Sequence, residues 1–175
     1  YRESDPVTPL NVYGASKLVG EQYAVGANRY FIVRAAWLFS EYGNNFLKSM
    51  LKLADGRETI QVIIDQTGTP TYGGDLAVSI IRLAEVEAAS GIYHYSGGRA
   101  CSWFEFSQAI FACLGKLRPE WRLPEVLPVT AAEYSSVASR PAYTVLDDAK
   151  LRACLPQSTG DWELAIESLM PVLAE

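Results

Sequence analysis

Tyr13 and Lys17 stand four residues apart in the run Tyr13-Gly14-Ala15-Ser16-Lys17. On a helix that spacing puts a phenol and an ammonium on one face, one turn from each other. A neighbouring positive charge favours phenolate and lowers a phenol's pKa from its ordinary value of about 10. A phenol in that setting can give its proton to a carbonyl oxygen as hydride arrives at the carbon, and be reprotonated near neutral pH. The lysine has a second natural task, hydrogen-bonding the ribose hydroxyls of a hydride-carrying cofactor. The pair by itself is weak evidence, because a surface tyrosine and lysine meet this way often. The segments around it must decide.

The pair needs a helix, and Thr8 to Val25 reads as one. Thr8-Pro9 offers a cap followed by proline in the first turn, and Asn11 is a second cap candidate. Gly14, Gly20 and Gly26 weaken it, so tertiary packing is expected to hold it, with glycine allowing another element to approach. Tyr30 to Trp37 is a short apolar run with β-branched residues, as in a strand buried between helices. Asn44-Asn45 cap a second helix running to Ala54, with Gly56 at its end. Ile60 to Ile64 is a strand, and Asp65 to Thr71 a loop of turn formers. A helix over Asp75 to Ala88 and a strand over Gly91 to Ser96 follow. Ser102 caps a helix from Trp103 to Leu114, with Glu105 near the box position. Past Gly115 prolines punctuate the chain, with a short strand at Val126 to Val129. Two last helices are expected over Leu146 to Leu155 and Trp162 to Leu173. Helices alternating with short apolar strands make the class α/β.

Composition excludes more than it selects. Hydrophobic residues at 49% and charged residues at 20% are ordinary for a globular domain. The 15 basic and 20 acidic side chains leave a net charge of −5, which speaks against nucleic acid as a partner. No run approaches the roughly 18 to 20 apolar residues of a membrane span. Three widely spaced cysteines, Cys101, Cys113 and Cys154, read as reduced thiols and favour the cytoplasm. The single histidine, His94, has no second ligand of its kind, so no metal site is expected. The opening Tyr1-Arg2-Glu3-Ser4-Asp5 lacks a methionine and reads as a fragment boundary.

The segment Pro9-Leu10-Asn11-Val12-Tyr13-Gly14-Ala15-Ser16-Lys17-Leu18-Val19-Gly20-Glu21, preceded by Glu3-Ser4-Asp5, resembles the active-site helix of extended short-chain dehydrogenases/reductases. More narrowly the chain is similar to the dTDP-4-dehydrorhamnose reductase family. Further segments match that family in order: Arg34-Ala35-Ala36-Trp37, Gly43-Asn44-Asn45-Phe46, Asp65 to Thr71, Gly91-Ile92-Tyr93-His94, Ala138-Ser139-Arg140-Pro141 and Leu146-Asp147. The resemblance implies a partial Rossmann-like parallel sheet with helices, plus a smaller substrate-binding lobe. Residues 1–60 would be the later part of the Rossmann-type domain with the active-site helix. Residues 61–175 would be mainly the substrate lobe, with returning Rossmann elements.

It also implies roles. Tyr13 would donate a proton to the C4 ketone of dTDP-4-dehydro-6-deoxy-L-mannose, giving dTDP-L-rhamnose with hydride from NADPH or NADH. Lys17 would tune Tyr13 and hold the nicotinamide ribose. Trp37 would contact the deoxysugar, and Arg140 would face the nucleotide diphosphate, for which a guanidinium is suited. Core packing for Trp37 and a salt bridge for Arg140 are the competing readings. Gln66 and Thr71 shape their loop first. Ala35 and Ala36 stand where relatives often carry hydroxyls. The sequence holds no glycine-rich phosphate loop, so the dinucleotide-binding half and the family's catalytic Ser/Thr are expected outside it, and the fragment alone is expected to be inactive. A non-catalytic regulatory subunit of the same fold, or another sugar-nucleotide epimerase or reductase, stays open, as does a homodimer.

Overall fold

The computed structural model describes residues 1–134, 140–158 and 160–174. Asn11, not Thr8, begins the first helix, α1 (Val12–Ala24): its side chain accepts from the Gly14 amide at 2.8 Å while its own backbone stays extended. Strand β1 (Phe31–Arg34) ends before the expected limit at Trp37, because Trp37 takes a φ of 49°. A left-handed residue cannot continue a ladder, and the chain restarts as β2 (Leu38–Phe39). Helix α2 (Phe46–Ala54) is capped by Asn45, which accepts from the Lys48 amide, and Gly56 beyond its end has φ 79°. Strand β3 (Thr59–Ile63) follows.

The stretch expected as a plain loop holds two short strands, β4 (Thr67–Gly68) and β5 (Thr71–Tyr72). Then come α3 (Gly73–Glu85), β6 (Gly91–His94) and β7 (Cys101–Ser102). The capping box is complete at α4 (Trp103–Leu117), where Ser102 and Glu105 each satisfy the other's amide. Strand β8 (Glu125–Val129), α5 (Ala149–Cys154) and α6 (Trp162–Leu173) finish the order. Helix α5 is shorter than expected and starts after Asp148.

The class is α/β. Three of the ladders are parallel, β1 with β6, β2 with β5 and β3 with β8, and β4 pairs with β7 antiparallel. The larger core joins α2, α4 and α6 over β3. Its hub is Phe106 of α4, with ring neighbours Phe39 at 5.5 Å, Phe46 at 5.4 Å and Trp162 at 5.3 Å. A smaller cluster gathers Leu83, Tyr93, Tyr95, Leu151 and Leu155 against Phe31 and Val33. Both clusters draw on residues from either side of position 60. Among the described residues no helix is long and apolar enough to cross a membrane.

Helix α1 stands apart from both clusters. None of its residues is buried, and Val12, Tyr13, Val19 and Tyr23 are exposed. Among the described residues α1 buries none of its side chains, so the packing expected from its glycines is not supplied by them. A side chain added at Gly20 would meet nothing within 4 Å, while one at Gly14 would meet Pro9 of the chain's own preceding segment.

Candidate active site

Tyr13, Lys17 and Glu21 recur every four residues, so they line one stripe of α1. Tyr13 is 71% exposed, and the Lys17 ammonium sits 5.4 Å from the centre of its ring. The two groups face open space on a helix surface, where a substrate and a nicotinamide could both reach them. One turn below, the Glu21 carboxylate is gripped by Arg34 of β1. Arg34 Nε donates to Glu21 Oε1 at 2.7 Å and Nη2 to Oε2 at 2.6 Å. That hydrogen-bonded pairing raises the Arg34 pKa, against a smaller opposing effect of burial. The strand fixes the guanidinium's base, since the Tyr95 amide donates to the Arg34 carbonyl at 2.9 Å.

Trp37 lies just past β1, at the mouth of the larger core. Its ring stacks on Trp103, the first residue of α4, with centres 3.6 Å apart and planes 11° from parallel. Gly68 leaves the room for it, because a side-chain carbon there would overlap the Trp37 ring. The Thr71 amide donates to the Trp37 carbonyl at 3.1 Å and steadies the left-handed turn. Thr71 and Gln66 are buried, in keeping with a loop-shaping role.

Arg140 is exposed at the rim of a hollow of about 650 Å³ that also takes in Phe46, Gln61, Trp103 and Tyr134. Ala138 and Ser139, its partners in the sequence motif, lie outside the described residues. Trp103 thus belongs to both features: one face stacks on Trp37 and the residue lines the Arg140 hollow. Sequence reasoning missed it as a site residue, seeing only a helix start. An aromatic directly after a capping serine was the available signal. No hydrogen bond, ion pair or ring contact among the described residues links Tyr13 or Lys17 to Trp37 or Arg140.

Other reactive groups are quiet. Burial pushes the Cys101 thiol up to about 12, which leaves it a poor nucleophile. His94 is buried, with neither ring nitrogen partnered among the described residues, and burial holds its pKa below the ordinary value.

The RmlD substrate binding domain family matches residues 1–174. A dTDP-4-dehydrorhamnose reductase from Aggregatibacter actinomycetemcomitans is 38% identical over 97% of this chain, which spans 60% of that relative. Among solved structures, a dTDP-4-dehydrorhamnose reductase from Bacillus anthracis in complex with NADP is 40% identical, with a TM-score of 0.84 over 98% of this chain and 58% of that one. A dTDP-4-dehydrorhamnose reductase from Clostridium acetobutylicum superposes with a TM-score of 0.89 at 34% identity, covering 60% of its length. The chain therefore spans about 60% of the relatives it matches.

Proposed function

Since the chain belongs to the RmlD substrate binding domain family, we propose that it carries the proton-donating side of a sugar-nucleotide reductase. The reaction is reduction of dTDP-4-dehydro-6-deoxy-L-mannose to dTDP-L-rhamnose in nucleotide-sugar biosynthesis, with NADPH or NADH. The observation that carries this reading is the exposed Tyr13–Lys17 pair, its ammonium 5.4 Å from the phenol ring. When bound, the nicotinamide cofactor supplies hydride to the ketone carbon. Tyr13 gives its phenolic proton to the ketone oxygen, so the carbonyl becomes an alcohol and Tyr13 is left as phenolate, stabilised by the Lys17 charge. Lys17 forms no ion pair among the described residues, so its three donors are free for ribose hydroxyls as well. The named NADP complex of the Bacillus anthracis relative supports that cofactor class.

Trp37, whose ring is backed by Trp103 of the hollow's lining, contacts the deoxysugar, and Arg140 offers a guanidinium to the diphosphate at that hollow. The hollow is ample for a base and sugar, with Trp103 and Phe46 as stacking surfaces and Gln61 as a hydrogen-bonding group. Residues 1–60 carry the site helix and 61–175 mainly the substrate lobe. Lacking a glycine-rich phosphate loop, the 175-residue chain alone binds dinucleotide weakly and turns nothing over.

In the full-length protein, Tyr13→Phe should lower kcat by about 10²- to 10⁴-fold, the usual worth of a positioned acid. The assay is NADPH oxidation in the presence of the 4-keto sugar nucleotide. Turnover by the Phe variant within tenfold of wild type would remove Tyr13 from the chemistry.

A further inference from the structure

Lysine and glutamate four residues apart on an exposed helix attract each other, weakly when the lysine comes first. Lys17 and Glu21 have that spacing, yet the carboxylate turns away and both its oxygens go to Arg34. Lys17 is left with the Tyr13 ring as its neighbour. The side chains of Arg34 and Glu21 are only 19% and 20% exposed, so water screens their pairing less than it would a surface pair. Arg34 itself sits on β1, opposite His94 in the β6 register, and feels a second carboxylate, Glu3, whose Oε1 accepts from the His94 amide at 3.0 Å. The sheet thus fixes the backbone that carries the guanidinium, and the guanidinium's own hydrogen bonds go to Glu21.

We propose that Arg34 is a positioning residue: by holding both oxygens of Glu21 it keeps that carboxylate off Lys17, and leaves the ammonium free for Tyr13. The inference rests on the Tyr13–Lys17 reading above. Its chemistry is a competition between two cations for one carboxylate. Removing Arg34 does more than loosen α1; it releases a carboxylate one turn from the lysine. Removing that carboxylate as well should then undo the harm. A purely structural anchor predicts instead that Glu21→Gln, which breaks the same grip and strands the guanidinium, slows the enzyme as much as Arg34→Gln does.

The test compares Arg34→Gln, Glu21→Gln and the double variant in the full-length protein, measuring kcat and KM. A pair of the strength usual one helical turn apart would sequester Lys17 enough to lower kcat by about 1.5- to 2-fold in Arg34→Gln. Glu21→Gln should fall less, and the double variant should match Glu21→Gln rather than Arg34→Gln. A double variant as slow as Arg34→Gln, or an Arg34→Gln enzyme as fast as wild type, would overturn the proposal. Arg34→Lys, which keeps the charge on the strand but cannot span both oxygens, is the second variant and should show the same rescue in smaller measure. Nitrogen-15 NMR of the Lys17 ammonium in the full-length protein reads the competition without any turnover. Its signal should move in Arg34→Gln and return in the double variant; an unmoved signal refutes the competition. Failure of the underlying reading shows elsewhere, as retained turnover by Tyr13→Phe.

Discussion

Gly68→Ala should unseat Trp37, and the size of the effect can be worked out beforehand. Gly68 is buried in β4, and its φ lies outside the left-handed region, so space rather than backbone freedom demands glycine there. An added methyl would lie 2.5 Å from Thr144 Oγ1 and 2.7 Å from Trp37 Cζ2, inside any real carbon contact. Neither wall yields readily. The Thr67 amide donates to the Ala142 carbonyl, and the Thr144 amide to the Thr67 carbonyl, both at 2.8 Å. The ring on the other side is stacked on Trp103. Overpacking of this kind costs about 1–3 kcal/mol, and a lost aromatic stack about 0.5–1.5 kcal/mol. Together they come to roughly 2–4 kcal/mol, or a fall of roughly 5–15 °C in Tm for a chain of this size. Thermal unfolding followed by circular dichroism reads both quantities, because stacked indoles give an exciton signal that Gly68→Ala should abolish. Gly20→Ala is the control: nothing lies within 4 Å of its added carbon, and it should stabilise α1 by up to about 1 kcal/mol. An unchanged Tm with the exciton signal intact in Gly68→Ala would refute the argument.

Two further outcomes follow from charge and capping. Ser102→Ala breaks the box at α4 and should cost about 1 kcal/mol in urea unfolding. Bonding from the Ser102 backbone amide, and to a lesser degree from the Ser102 hydroxyl at 3.0 Å, holds the Glu105 carboxyl below its usual range, so its contribution is present above the unfolded value and lost as pH falls through the folded one. The amide survives in Ser102→Ala, so only the hydroxyl's share of the loss should fade in acid, whereas Glu105→Ala should cost markedly less in acid than at neutral pH, and an equal Glu105→Ala loss at both pH values would refute it. Burial lowers His94, with Glu3 opposing, so the neutral ring is the folded form. Stability should hold above about pH 6.5 and decline as pH falls through the lower folded value. His94→Leu should flatten that decline in thermal melts, and an unaltered pH profile would clear His94 of the effect.

What could be read from sequence was local. The caps at Asn45 and Ser102 and the alternation of apolar runs placed α2, α4 and the α/β class, because those signals lie within one or two turns of their effect. The break at Trp37 was not legible, since its left-handed residue is bonded by Thr71 and its ring accommodated by Gly68, both far along the chain. The short strands β4 and β5 were hidden for the same reason: their partners are at β7 and β2. The grip of Arg34 on Glu21 joins a strand to a helix and carries no spacing signal. Trp103 entered the site only through a stack formed in three dimensions.

The interleaving of the two clusters has a kinetic side. Thr59 pairs with Glu125 and Phe31 with Gly91, so each parallel ladder closes a long loop before it gains a single bond. The chain passes from one cluster to the other repeatedly, and Trp162, Ile166 and Met170 of the last helix complete the larger one. High contact order of this kind slows folding and defers the reward until late. Until α6 has docked, the larger cluster therefore stays open and apolar, and that interval, not the packed cluster, is where this part of the molecule is most exposed to aggregation.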